Sequence, residues 1–368
     1  MVYLDNASTT RVSDEVNTEI VRCNLENYYN ASSNHACGIL IKDGVDSYRK
    51  TIASLINSDE GEIFFNSGST EGINTILRGY VEANIDRGQH IVTTKVEHKA
   101  VLETCAYLEN IGIDVTYLDV DNNGLINIEE LERVIRDDTL LVSVLWVNNE
   151  TGIVQDINRI GRVVAQSNAK LFVDATQIVG KMNVDVAANN IDMLCFSGHK
   201  FHGPKGIGAL YISKGIKVAP LLYGGGQENG FRAGTYNVAG IVGLAKACET
   251  TIENDKKIRD VIGYLEAELD KNFDCKFIGL PENRSPYILN VVIKGIDSDV
   301  IIAKLKKTML STGSACNSRI VEPSHVLKAM GYSDEDSFSS LRFSISRYTT
   351  LDEIDTAIEG LKGIISLN

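Results

Sequence analysis

Between Val45 and about Tyr211, apolar positions recur in two alternating periods. Sets such as Val45, Tyr48, Ile52, Leu55 and Ile56, or Ile73, Ile76, Leu77 and Tyr80, fall at the spacing that places one apolar stripe on a helix. Between such sets lie short β-rich runs: EIFF, HIVTTKV, DVTYLDV, LLVSVLWV, AKLFVDAT, DMLCFS and IGALYI. Strand and helix in regular succession predict an α/β architecture, with a mostly parallel sheet covered by helices.

The rhythm changes after Gly224-Gly225-Gly226. A small-residue stretch leads into a long helical pattern through about Asn272, and thereafter ILNVVI and SLRFSI read as strands. Residues 297–307 and 351–365 carry helical periodicity, the second opened by a capping box of Thr350 and Glu353. A chain of 368 residues is long enough for two cores, because one core serves ~100–200 residues before a chain divides. The expected division is a large domain over 13–250 and a smaller α+β domain made of 1–12 and 251–368.

Composition narrows the function. With 43% hydrophobic and 23% charged residues, 5 prolines and no low-complexity tract, the whole chain is expected to fold. Acidic residues number 49 against 36 basic ones, and no dense basic run exists to track a phosphate backbone, so direct nucleic-acid binding is not expected. The start Met1-Val2-Tyr3-Leu4-Asp5 lacks the pattern of a secretory leader, and no run approaches the ~20 apolar residues of a membrane span. A cytoplasmic protein is expected. The seven cysteines form no C-x-x-C pair, which argues against zinc and predicts separate thiols, six of them in apolar or helix-like contexts that suit a small buried hydrophobe.

Candidate chemistry follows from where polar residues leave the apolar runs, since open α/β sheets bind ligands beyond the carboxyl ends of their strands. EIFF is followed by Asn66-Ser67-Gly68-Ser69-Thr70 and then a helix, which offers amides, hydroxyls and a helix dipole to a phosphate; a merely capped helix start has the same look. LFVDAT ends in Asp174, with Gln177 three residues on; the carboxylate can hold a cationic ring nitrogen or serve as a turn former. DMLCFS runs into Ser197-Gly198-His199-Lys200. A lysine leaving a buried strand is costly unless its charge is paired or lost, and a Schiff base resolves that cost.

The string SGHKFHGPKGIGALYI, together with VDATQ, VNNETG, NSGSTEGIN, VEHKAV, GGGQENGFRAGT and STGSACNS, resembles the NifS/IscS-type cysteine desulfurases of the class V aminotransferase group. The likeness runs from YLDNAST to LRFSISRYTT and implies a pyridoxal 5'-phosphate (PLP) enzyme of transferase fold type I. By that resemblance Lys200 carries the cofactor and moves the Cα proton, Asp174 pairs with the pyridine nitrogen, and His98 stacks on the ring. Without the motif, His98 reads as a surface histidine opening a helix. Ser69, Thr70, Ser197 and His199 match phosphate-binding positions, and Gln177 matches the partner of the ring hydroxyl. Thr235 matches a residue that reaches the phosphate of the neighbouring subunit, which implies a homodimer. Asn149 and Arg342 match groups that hold the carboxylate of L-cysteine.

Cys316, in STGSACNS, matches the thiol that receives the sulfur as a persulfide, on a loop of about 311–325. The implied reaction turns L-cysteine into L-alanine and passes sulfur to an acceptor protein, either an iron–sulfur scaffold or a tRNA- or DNA-modification enzyme. The chain departs from the family at Ser8, Arg11 and Asn30-Ala31-Ser32, and it ends at Asn368, short of the tail through which IscS-type members dock a scaffold. Other readings of the same residues are a selenocysteine lyase, a class V aminotransferase with Cys316 incidental, an idle scaffold that binds delivery partners, and a zinc module built on His199 and His202.

Overall fold

The β-rich runs are strands in the computed structural model, which describes residues 1–251, 255–312 and 322–365. In chain order its strands are β1 (Val2–Tyr3), β2 (Ile63–Asn66), β3 (His90–Thr94), β4 (Asp114–Leu118), β5 (Thr139–Leu145), β6 (Lys170–Asp174), β7 (Met193–Ser197), β8 (Gly208–Ile212), β9 (Cys275–Phe277), β10 (Ile288–Ile293), β11 (Thr308–Met309) and β12 (Ser340–Ser344). Seven of them form one sheet in the order β2-β8-β7-β6-β5-β3-β4. All its pairings are parallel except those of β8, which is antiparallel to both β2 and β7. The expected mostly parallel sheet is therefore present.

Alternation along the central strands feeds two apolar layers, because successive side chains leave opposite faces of a sheet. Leu171, Val173, Leu194 and Phe196 pack on one face with Val142, Val144, Ile52 and Leu244. Their sequence neighbours Phe172, Met193 and Cys195 pack on the other with Ile73, Ile76, Leu77 and Ile91. Helices Ala36–Leu55 and Val238–Glu249 contribute to the first layer and Ser69–Asn84 and Lys99–Glu109 to the second.

A further core joins the two ends of the chain. Val2, Leu4 and Ala7 pack with residues from 258 to 361, among them Leu265, Leu289, Phe343 and Ile358. Its strands are the antiparallel set β12-β10-β9 and the parallel pair β1-β11. The capping box is made in both directions: Thr350 N donates to Glu353 Oε2 (3.1 Å) and Glu353 N to Thr350 Oγ1 (3.3 Å). The helical pattern leading to Asn272 divides into Val238–Glu249 and Asp255–Asn272, and that over 297–307 is helical only as Ser298–Lys304, because the chain then extends to pair Thr308–Met309 with Val2–Tyr3. Cys23, Cys105, Cys195 and Cys248 are buried, whereas Cys37 and Cys275 are only partly so, a correction to the reading of all six as core residues.

Phe343 is fully buried in the core that ties the chain's two ends together. Phe343→Ala is expected to lower the unfolding free energy by about 3–5 kcal/mol through lost burial and the cavity left behind. The denaturant midpoint followed by far-UV circular dichroism reads the change, and an unaltered midpoint contradicts this packing.

Candidate active site

Because β2 and β7 both run opposite to β8, the carboxyl ends of β2, β7, β6, β5 and β3 share one edge of the large sheet. A cavity of about 480 Å³ opens there, lined by Ser69, Thr70, His98, Asn149, Asp174, Gln177, Ser197, His199, Lys200 and Arg342 among others. Residues scattered over nearly three hundred positions thus meet in one place. Of the remaining site residues expected from sequence, Thr235 is exposed and outside this lining, and Cys316 lies outside the described residues.

At one end of the cavity the turn after β2 feeds the helix Ser69–Asn84. Asn66 Oδ1 accepts from Gly68 N (2.9 Å), and Gly68 adopts a φ of +140°, with the position of a Cβ only 3.0 Å from Ser197 Oγ; glycine suits both demands. Ser69 N donates to Ser197 Oγ (2.7 Å), while Ser69 Oγ lies 2.9 Å from Ser197 Oγ and 2.6 Å from Thr176 Oγ1. Three hydroxyls are linked beneath a sixteen-residue helix whose dipole favours an anion at its start. His199, with Nδ1 3.1 Å from Thr9 Oγ1, is pushed down to about 4 by desolvation and the charge of Lys200, so it stays a neutral donor or acceptor.

Lys200 ends the short turn Gly198–Lys200 that leaves β7. Its Nζ donates to two main-chain carbonyls of the N-terminal segment, Ala7 O (2.8 Å) and Ser8 O (2.9 Å). Desolvation, reinforced by Arg342, lowers its pKa to about 8, with Asp174 and Asp5 opposing the shift. A second amine, Lys181, donates to Gln177 Oε1 (2.8 Å) and is drawn down to about 7 by burial and by the charges of Lys200 and Arg342. Gln177 is anchored at its other end by Nε2 donating to Ala7 O (2.8 Å).

Asp174, the buried last residue of β6, accepts at Oδ1 from Thr176 N (3.0 Å) and from the Thr176 hydroxyl. His98 does cap the helix Lys99–Glu109, as its position suggested, and it also faces the cavity. Its Nδ1 accepts from Ala100 N (3.1 Å), which puts the proton of the neutral ring on Nε2, and desolvation lowers its pKa against the opposing charge of Asp174. Its neighbour Glu97 is wholly buried; Oε1 accepts from Thr94 Oγ1 (2.8 Å) and Leu145 N (3.0 Å), Oε2 has no partner, and desolvation raises the pKa to about 8. Burial thus favours the neutral acid at Glu97 over the carboxylate.

Arg342, at the middle of β12, is buried. Nη1 donates to Asn149 O (2.8 Å), Nη2 to Asp5 Oδ1 (2.6 Å) and Ser8 Oγ (2.7 Å), and Nε is buried with no partner. Ser311 lines the cavity too, and its backbone exchanges hydrogen bonds with that of Arg342. On the other side of 313–321, Ser324 Oγ donates to Glu150 Oε2 (2.5 Å) and His325 Nε2 lies 3.1 Å from Glu97 O. Both stems of the segment containing Cys316 are therefore tied to the strand ends that build the cavity.

Sequence reading missed Asp5, Ser8, Thr176, Glu97 and Lys181. Asp5 and Ser8 stand in YLDNAST and Glu97 in VEHKAV, so the motifs contain them; Ala7 and Ser8 act on Lys200 through backbone carbonyls, which no side chain advertises.

Comparison with known proteins gives a consistent picture. Residues 2–356 match the family model described as aminotransferase class-V. The chain is 42% identical over 370 residues to the "Cysteine desulfurase IscS" of Methanosarcina thermophila, spanning 99% of this chain and 92% of that protein. It superposes on a solved "NifS-like protein" with a TM-score of 0.93 at 37% identity, covering all of both chains. A structure titled "SspA in complex with cysteine" matches with a TM-score of 0.87 at 33% identity, over 95% of this chain and all of that one.

The lowered pKa values predict a labelling pattern. Near pH 8 about half of Lys200 and most of Lys181 are neutral, whereas an ordinary lysine, with a pKa near 10.4, is neutral in less than about 1% of molecules. Reductive methylation of the cofactor-free protein at pH 8 is expected to modify these two ahead of the surface lysines, as read by peptide mass spectrometry. Uniform labelling would contradict the desolvated pair.

Proposed function

The chain belongs to the class V aminotransferase family and is a cysteine desulfurase, and we propose that Lys200 and Cys316 divide its chemistry between them. The observation that carries the proposal is the desolvated Lys200 amine, set in one cavity with a buried carboxylate, an anion-binding helix start and a buried guanidinium.

The donor set fits PLP. The linked hydroxyls of Ser69 and Ser197, with Thr70, His199 and the helix start, suit a phosphate. Asp174 would hold a protonated ring nitrogen, Gln177 the ring hydroxyl and His98 the ring face, and Lys200 would supply the covalent anchor. When bound, the cofactor withdraws electrons from the substrate's α-carbon, so that a proton can leave it and the β-carbon to sulfur bond can then break.

The chain's own residues do the rest. Arg342 and Asn149 orient the carboxylate of L-cysteine, the guanidinium because its planar fork matches a carboxylate. Lys200, whose neutral form is available near pH 8, takes the α-proton. Cys316 attacks as thiolate: a sulfur–sulfur bond forms, the bond from sulfur to Cβ breaks with its electron pair left on carbon, and a proton completes alanine. The balance is cysteine plus thiol giving alanine plus persulfide. The persulfide on Cys316 then passes to an acceptor protein.

We also read residues 13–250 as the cofactor-binding domain, 1–12 with 251–368 as the smaller one, and the enzyme as a cytoplasmic homodimer. Thr235 is exposed and outside its own chain's cavity, which suits service to the partner's phosphate site.

Two experiments test these assignments. Cys316→Ala is expected to retain the cofactor's visible absorbance while alanine formation from cysteine falls by about three orders of magnitude or more. Mass spectrometry after labelled cysteine should find the extra sulfur on the Cys316 peptide of the parent protein; undiminished turnover in the variant rejects the role. Separately, Lys200→Ala and Thr235→Ala proteins, each inactive, should regain activity when unfolded and refolded together, because the mixed dimer contains one site with both residues. If Thr235 acts within its own chain, mixing restores nothing.

A further inference from the structure

Three polar groups close a small ring at the guanidinium end of the main cavity. Arg342 Nη2 donates both to Asp5 Oδ1 (2.6 Å) and to Ser8 Oγ (2.7 Å), and Ser8 Oγ donates in turn to Asp5 Oδ1 (2.8 Å). A guanidinium has no acceptor, so the single hydroxyl proton of Ser8 is directed at the carboxylate. One carboxylate oxygen is thus held by two donors at once, a guanidinium nitrogen and a hydroxyl.

The members of this ring do not face the cavity equally. Arg342, buried, and Ser8, exposed, both line it, whereas Asp5 is outside the lining. A ligand in the cavity therefore meets the two donors and not the resident carboxylate. Ser8 also touches the other reactive group of the site, because its main-chain carbonyl accepts from Lys200 Nζ (2.9 Å). In an α-amino acid the carboxylate and the α-carbon are bonded neighbours, so a residue that meets both the guanidinium and the amine stands where those two parts of the substrate must lie.

We infer that the Ser8 hydroxyl is a second donor to the substrate carboxylate, acting with Arg342 Nη2 as a two-point clamp on one carboxylate oxygen and making the site selective for α-amino acids over simple amines. The inference rests on the proposed reading of Arg342 as a carboxylate-binding group and adds a residue to it. Asp5 Oδ1 supplies the geometry: an oxygen of the same chemical type already accepts from both donors within 2.8 Å. A hydroxyl turns about one single bond, so its O–H follows an incoming oxygen without movement of the backbone carbonyl that receives Lys200. Hydrogen bonds to a charged group are stronger than those between neutral groups, so their loss is felt in affinity, and an amine without a carboxylate gains nothing from either donor.

The probes are L-alanine, which has the carboxylate but no sulfur to lose, and ethylamine, which lacks the carboxylate. Each is titrated into the full chain saturated with PLP, and the change in visible absorbance gives its dissociation constant. Ser8→Ala is expected to weaken L-alanine at least about fivefold while ethylamine shifts by less than about twofold, and Ser8→Thr, which keeps a hydroxyl, should stay within about threefold of the parent for both. Arg342→Lys is measured alongside: if it leaves L-alanine unchanged, the reading of the arginine fails and the clamp with it. If Arg342→Lys weakens L-alanine but Ser8→Ala does not, the clamp alone is overturned. Equal weakening of both probes by Ser8→Ala also overturns it, because a merely structural change does not sense the carboxylate.

Discussion

A lysine amine withdrawn from water, with backbone carbonyls as its hydrogen-bond acceptors, is the constraint around which this molecule is organised. Had a carboxylate taken the place of Ala7 O or Ser8 O, the ion pair would have stabilised the ammonium and removed a nucleophile from reach of neutral pH. Instead Asp174 and Asp5 act from a distance and Arg342 acts against them, leaving the amine near 8. Relative to an ordinary lysine near 10.4, that represents about 3 kcal/mol of destabilised charge, at 1.36 kcal/mol per pKa unit. The rest of the fold must hold that group in place while denying it a stronger partner.

It does so by joining two cores at one point. Lys200 belongs to the large sheet, at the exit of β7, whereas its acceptors belong to a segment packed with the C-terminal strands. Ala7 N donates to Ser344 Oγ (2.9 Å) and Asn6 N to Ser344 O (3.2 Å), so β12 fixes the position of the carbonyls that receive the amine. Arg342 lies on the same strand two residues earlier. One element thus sets both the acceptors of the lysine and the guanidinium that helps depress its pKa, and any shift of that strand moves the two together.

What was legible in the sequence follows from which costs a side chain declares. The long buried strands declared themselves by period, and Lys200 by the expense of an ammonium at the end of DMLCFS. The helix start at Ser69 was ambiguous alone, since the start of any capped helix resembles Asn66 to Thr70, and His98 served both readings by capping a helix and lining the cavity. The strands β1, β9 and β11, two or three residues long, are too short to display a period. Lys181 was hidden for a different reason: a lysine after Gly180 has no burial signal of its own, and its desolvation arises from the fold around it. The assignment of Cys316 rests on its motif, because that segment lies outside the described residues.

The resting state of Arg342 bears on how a charged amino acid can enter such a site. Burying a guanidinium is expensive, and Asp5 Oδ1 at 2.6 Å already offsets that cost. On the proposed reading, a substrate carboxylate that displaced Asp5 from Nη2 would exchange one anionic partner of the guanidinium for another, so no new cation would have to be desolvated. The exchange can also be favourable, because Nε, buried without a partner, represents a donor whose desolvation is not yet compensated. Asp5 is only partly buried and Ser8 is exposed, so the partners of Nη2 are less desolvated than a fully buried pair would be. The ion pair with Asp5 thus offsets the burial of the guanidinium and fixes its orientation in the free protein.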